Sequence, residues 1–314
     1  MKPTRILVVR LGAMGDIVHT LPAVATLKQS FPHSHIAWAL ERKWAPLLEG
    51  NVFVDEPLFF DRNKLSEIWR LRSQLRQNIW DLAVDFQGLL KSAVVASFAR
   101  PERIIGFHRS QVREKLAALF YSATARAQAT HIVDRNLELA AAAGASNIVR
   151  SFAIPQGHPE GVLPSGEFVL ANPAAGWKGK QWPMENYVEL ARRLQSQGVR
   201  LVLNVASKIS GLEVQQHISA LPGLIDATRR AVAVVGVDSG PLHIAAALGK
   251  AGVAIFGPTD PARHGPYGGS MSVLRSPIAK TTYKRGTEVD PSMRAISVDQ
   301  VMSALKERLL CPAG

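Results

Sequence analysis

Two glycine-punctuated junctions, one in each half of the 314-residue chain, hold the residue types best suited to chemistry. The first reads Ile6-Leu7-Val8-Val9-Arg10-Leu11-Gly12-Ala13-Met14-Gly15-Asp16, and the second Val234-Val235-Gly236-Val237-Asp238-Ser239-Gly240-Pro241-Leu242-His243. Each passes from an apolar strand through a tight turn into a helix. A helix start presents free backbone N–H groups and a partial positive charge, which suit phosphate. At the first junction Gly12 and Gly15 allow a close turn, and Asp16 stands at its mouth. A carboxylate there can accept a proton from a sugar hydroxyl, or serve as a helix cap; the two roles are compatible. At the second junction the Ser239 hydroxyl and the amides around Gly240 suit phosphate, with His243 on the first helical turn facing the same region, the alternative being a core or capping histidine.

Three more segments border these turns. Trp177-Lys178-Gly179-Lys180-Gln181-Trp182-Pro183 offers Lys180 to a leaving diphosphate, the alternative being a solvated loop lysine. Gly257-Pro258-Thr259-Asp260-Pro261 reads as a turn at the rim of the same pocket. Asp85-Phe86-Gln87-Gly88-Leu89-Leu90-Lys91-Ser92 ends a strand with polar tips that orient an acceptor or cap a helix. The chain contains neither a GxGxxG fingerprint nor a Walker A loop, HExxH motif or close carboxylate cluster, so no cofactor and no metal are expected. Inverting sugar transfer without a metal requires a base and a cationic cradle for the diphosphate, and both are present.

Alternating elements must position these residues. In the first half, strands fit 5–9, 35–40, 82–86 and 103–107, and helices fit 16–30, 65–77, 89–98, 113–121 and 131–143. A Pro/Gly-rich stretch from Pro155 to Gly166 reads as a linker. Strands then fit 168–171, 200–205, 232–237 and 253–256, with helices at 184–195, 212–220, 241–248 and 298–309. This alternation predicts an α/β protein of two Rossmann-like, doubly wound domains, 1–160 and 161–314, facing across a cleft. One step does not fit: Ile225-Asp226-Ala227-Thr228 runs almost at once into the strand at 232, although parallel neighbours need a crossover of about a dozen residues.

Composition narrows the class. Hydrophobic residues make up 47% of the chain, enough for a large core. No apolar run reaches the ~20 residues of a membrane span, and the opening Met1-Lys2-Pro3-Thr4-Arg5 does not resemble a signal peptide. The single cysteine, Cys311, rules out an internal disulfide. A cytoplasmic protein is expected. The net charge of +12, dense from Arg62 to Arg76 and from Arg100 to Lys115, favours anionic partners. A basic nucleic-acid-binding protein is one alternative, although no recognised nucleic-acid module is present. A peripheral membrane scaffold is another.

Taken together, Gly15-Asp16-Ile17-Val18-His19-Thr20-Leu21-Pro22, Asp85 to Ser92, Arg113 to Tyr121, Lys180-Gln181-Trp182-Pro183, Val237-Asp238-Ser239-Gly240 with His243, and Gly257 to Pro261 resemble the lipopolysaccharide heptosyltransferases, glycosyltransferase family 9, with the GT-B fold. The Gln87 to Ser92 and Arg113-Glu114 segments look most like the members that add the first heptose to Kdo on lipid A, with heptosyltransferase II and other family 9 transferases as alternatives. The resemblance implies ADP-heptose as donor, a Kdo-bearing lipid A as acceptor, and work at the inner leaflet of the cytoplasmic membrane as a peripheral protein, without nucleic acid. It implies Asp16 as catalytic base. It places Lys180, Asp238, Ser239, Gly240 and His243 on the donor, and Gly15, Arg62, Lys64, Gln87 and Arg113 on the acceptor side. The family's ribose-binding glutamate is out of register here, leaving Glu213 as its counterpart.

Overall fold

A computed structural model describes residues 2–61, 63–282 and 284–310. The chain divides into two compact units, Met1–Pro155 and Gln156–Gly314. The first contains, in order, β1 (Arg5–Val9), α1 (Met14–Val18), α2 (Leu21–Ser30), β2 (His35–Glu41), β3 (Glu56–Phe60), α3 (Leu65–Leu75), β4 (Leu82–Asp85), α4 (Leu90–Phe98), β5 (Arg103–Phe107), β6 (Ala123–Ala125) and α5 (Ile132–Ala142). Its six strands are all parallel, in the order β3-β2-β1-β4-β5-β6. The second unit contains β7 (Phe168–Asn172), α6 (Met184–Gln195), β8 (Arg200–Asn204), β9 (Gln215–His217), α7 (Leu221–Arg230), β10 (Ala233–Val237), α8 (Gly240–Ala247), β11 (Gly252–Phe256), α9 (Pro261–His264), β12 (Met271–Arg275), α10 (Pro291–Arg294) and α11 (Val298–Leu310). It repeats the same parallel order, β12-β11-β10-β7-β8-β9.

The central strands follow from their composition. Ile6 to Val9 and Val234 to Val237 are continuous β-branched and apolar runs, and their large side chains are fully buried, as a sheet covered on both faces requires. In each sheet the strand order reverses between the first and fourth strands, so the loops after β1 and β4, and after β7 and β10, flank a switch point where ligands collect in such folds. The register pairs Val9 with both Ala39 and Asp85, which brings the chain after β1 and after β4 level at one edge.

Several local expectations are corrected. The helix expected over 16–30 is two helices. Thr20 Oγ donates to the Asp16 carbonyl at 2.8 Å, Pro22 has no N–H to continue the ladder, and Asn136 of α5 donates to the His19 carbonyl at 3.0 Å. The 113–121 helix is a 3₁₀ segment at Lys115–Phe120. Strands β3, β6, β9 and β12 go unrecognised because they are short or carry mixed polar residues. The expected helix 212–220 is instead a strand, β9, followed by α7, and α7 is the crossover that seemed to be lacking before β10. The shortage lies earlier. The parallel neighbours β8 and β9 are joined by residues 205–214 with no α-helix between them.

One close contact in unit 1 supports the site. The Tyr121 ring lies against Gly106 of β5, where an added Cβ would fall 2.2 Å from Cε2. Gly106→Ala should therefore expel the ring, break its bond to Asp85 and lower stability by about 2–4 kcal/mol. Urea denaturation measures this; a loss below about 0.5 kcal/mol would contradict the packing.

Candidate active site

In unit 1 the site grows from the end of β1. Arg10 is the first residue past the strand and is buried, so its charge needs a partner. Its guanidinium donates to the Phe86 carbonyl after β4 and pairs with Asp16 Oδ1 at 2.7 Å. Asp16 Oδ2 accepts the Ala13 N–H at 3.2 Å, closing the turn onto the start of α1. Asp16 is thus both a cap and an available acid, with 40% of its side chain exposed while Arg10 holds it in one orientation. Gly12 makes room for Trp44, whose indole nitrogen would lie 2.8 Å from any Cβ at that position.

The loop after β4 completes this edge. Leu11 N–H donates to Gln87 Oε1 at 2.7 Å, which ties the two loops across the switch point. Beneath them Asp85 is wholly buried and accepts from Gln87 N, Gly88 N, Ser92 Oγ and Tyr121 Oη at 2.9, 3.3, 2.8 and 2.7 Å. Burial pushes the Asp85 carboxyl up despite these four donors, and burial together with the neighbouring carboxylate pushes the Tyr121 hydroxyl up. Gly88 takes a left-handed φ of 68°, and its carbonyl accepts the Glu114 N–H at 3.4 Å. Glu114 in turn accepts Leu90 N–H at 2.7 Å.

Asp16, Arg10 and Gln87 therefore form one hydrogen-bonded edge, and the 112–114 segment is stitched to it. Gly15 is the second residue of α1, and Arg113 is exposed beside the stitched segment. Lys64 is exposed at the start of α3, beyond β2 in the sheet order. Arg62 lies outside the described residues.

In unit 2, Lys180, Asp238 and His243 come together. Lys180 Nζ donates to Asp238 Oδ2 at 2.7 Å, and His243 Nε2 lies 3.5 Å from Asp238 Oδ1. All three side chains are buried, and Lys180 Nζ also sits 4.4 Å from the centre of the Trp177 ring. Burial alone would raise the Asp238 carboxyl. The His243 contact and the Lys180 ammonium outweigh it and hold the group well below the usual carboxylate range. Ser239 caps α8 in an extended conformation, and its hydroxyl makes no hydrogen bond among the described residues. The same is true of Asn172 Nδ2 at the end of β7 and Thr259 Oγ after β11. A cavity of about 480 Å³ opens beside this cluster at the ends of β7 and β8, lined by Pro173, Gln181, Trp182, Val205, Ser207 and Arg294 among others. Its size suits a small organic ligand. Glu213 is exposed in the connection before β9 and does not line the cavity.

Among the described residues no group of three or more His, Cys, Asp or Glu side chains could hold a metal ion, and no helix is long and apolar enough to cross a membrane. The sequence reading missed Arg10 and Trp44. The available signal for Arg10 was a lone charge at the end of a buried strand, a position that demands a counter-ion. Replacing Arg10 with Lys keeps the charge but loses the fork that serves Phe86 and Asp16 together. It should lower kcat about tenfold without loss of stability; kinetics beside urea denaturation check this, and equal kcat would contradict the orienting role.

Comparison with known proteins gives the chain its family. The sequence model of glycosyltransferase family 9 (heptosyltransferase) matches residues 68–292. Lipopolysaccharide heptosyltransferase 1 of Escherichia coli (strain K12) is 30% identical over 301 residues, covering 87% of this chain and 94% of that protein. The solved structure of E. coli heptosyltransferase WaaC with ADP matches with a TM-score of 0.78 at 27% identity, covering 97% of this chain and 99% of that one. The same enzyme with ADP-2-deoxy-2-fluoro heptose matches with a TM-score of 0.76 at 27% identity, covering 96% and 99%. With its two parallel α/β units and this match across most of its length, the chain belongs to glycosyltransferase family 9, the heptosyltransferases.

Proposed function

We propose that the protein transfers heptose from ADP-heptose to Kdo of the lipopolysaccharide inner core, by direct displacement with inversion and without a metal. The observation that carries this reading is the Asp16 carboxylate, held by Arg10 yet open to solvent on one side, in a family 9 chain. The two tasks fall to different units. Unit 1 activates the acceptor: Asp16 takes the proton of the attacking Kdo hydroxyl, Arg10 fixes the carboxylate, and Gln87, Arg113, Lys64 and Arg62 serve the acceptor's anionic groups. Unit 2 holds the donor. The oxygen attacks the anomeric carbon as the bond from that carbon to the diphosphate breaks, and ADP departs with the electron pair.

The developing charge on ADP meets the Lys180 ammonium and the amides at the start of α8, a preorganised electrostatic arrangement that contributes several kcal/mol in such sites. Asp238 and His243 keep the Lys180 side chain in place. The hydroxyls of Ser239 and Thr259 and the amide of Asn172 supply donors that phosphate or sugar oxygens would satisfy. The nucleoside enters the cavity beside Gln181 and Ser207. Because residues 205–214 replace a helical crossover, we assign ribose recognition to this cavity wall in preference to Glu213. The acceptor is lipid-anchored, so the enzyme works peripherally at the inner leaflet. Incubating the protein with ADP-heptose and a Kdo-bearing lipid A while following ADP release tests the reading. Release that depends on both substrates is expected; none with this pair, but turnover with another acceptor in a panel, would overturn it.

A further inference from the structure

The outer flank of α3 carries a surface that catalysis does not use. Ile68, Leu71 and Leu75 form its inward stripe on the core of unit 1. Beside that stripe, residues 65, 69, 72 and 76 recur at i, i+4, i+7 and i+11 and share one flank. Leu65 and Trp69 on this flank are 74% and 63% exposed, and Ile79 just past the helix is 83% exposed. Leu65 and Trp69, one turn apart on the helix, form an open apolar pair of a kind that marks interaction surfaces. The Arg72 guanidinium stacks 5.1 Å from the centre of the Trp69 ring. Arg72 and Arg100 lie close enough to Arg76 for their charges to act on it. Desolvation and the charges of Arg100 and Arg72 push the guanidinium of the exposed Arg76 down, and no carboxylate among the described residues pairs with any of the three. The nearest acid on the helix, Glu67, is engaged by Arg42 and Arg70 instead.

We infer that this flank of α3 docks on an anionic phospholipid surface, with Leu65, Trp69 and Ile79 entering the headgroup boundary and Arg72, Arg76 and Arg100 facing lipid phosphates. The commitment to lipid rests on the pairing of chemistries. Three cations seek anions, and a bilayer supplies them in a plane. The same bilayer supplies apolar depth for an indole and two aliphatic side chains, which a nucleic-acid backbone does not. The reading rests on the lipid-anchored acceptor of the proposed function only for its biological setting; the binding itself stands apart from turnover.

Sedimentation of the full chain with vesicles of neutral phosphatidylcholine, with and without about a third of phosphatidylglycerol, tests it. Binding should need the anionic lipid and weaken with salt. The Arg72→Gln, Arg76→Gln double variant should lose about tenfold or more in partitioning, and Trp69→Ser should lose severalfold. Unchanged ADP affinity by calorimetry confirms that both variants are folded. Vesicle binding that neither variant weakens would overturn the inference. So would no vesicle binding, alone or accompanied by variant-sensitive binding of RNA or of a protein. Because no transfer is measured, failure here leaves the proposed reaction standing, and failure of the reaction leaves this surface standing.

Discussion

Replacing Asp16 with Asn should lower kcat by about 10²-fold or more and leave ADP affinity unchanged. The substitution keeps the side chain's shape and its oxygen toward Arg10 or Ala13, so the turn survives. It removes the carboxylate proposed to take up the acceptor proton. General base catalysis contributes about 10²–10⁴-fold, which sets the size of the loss. The split between the two readouts matters as much as the size. Asp16 and the residues proposed to hold ADP lie on different units, so a base on unit 1 should not alter calorimetry with ADP. A structural cap, by contrast, would cost stability and spare kcat per folded molecule. Unchanged kcat in Asp16→Asn would remove it as the base.

Replacing Lys180 with Ala should weaken ADP binding by about 10- to 150-fold, the worth of about 1.5–3 kcal/mol for a hydrogen bond to a charged group. It also strips the nearer partner from the buried Asp238 carboxylate, 2.7 Å away. Breaking such a pair costs about 3–5 kcal/mol of folding stability. The two losses separate in the Lys180→Ala, Asp238→Asn double variant, which removes both charges. It should recover much of the stability and none of the ADP affinity. Acid sensitivity gives an independent check. Asp238 is held below the usual carboxylate range in the fold, against about 3.9 when unfolded. Its contribution is therefore present above about pH 4 and lost as the pH falls below that value. Wild type should lose stability more steeply than Asp238→Asn between about pH 4 and 2, and parallel curves would contradict the pairing. ADP affinity equal to wild type in Lys180→Ala would remove the lysine from the donor site.

What was legible in the sequence divides along physical lines. The central strands β1 and β10 announce themselves as apolar runs closed by polar turns, and the turns hold Asp16 and Asp238. The edge strands β3, β6, β9 and β12 do not, because an edge strand needs fewer apolar residues than a central one; Gln215-Gln216-His217 is a strand only through its pairing with β8. A helix read over 212–220 leaves too little chain for a crossover before β10, whereas the short connection actually lies between β8 and β9. Side-chain types at the site were visible, but their pairings were not. Arg10 with Asp16, and Lys180 with Asp238 across 58 positions, are brought together only by strand order. Tyr121 reaches Asp85 because Gly106 leaves a gap, a relation among three elements with no local signature.

The most direct measurement is the anomeric configuration of the product. After reaction of ADP-heptose with a Kdo-bearing lipid A, NMR of the isolated acceptor reports the new glycosidic bond. One heptose on Kdo with configuration opposite to that of the donor is expected, as a single attack aided by Asp16 requires. Retained configuration, or an acceptor recovered without heptose, would contradict it.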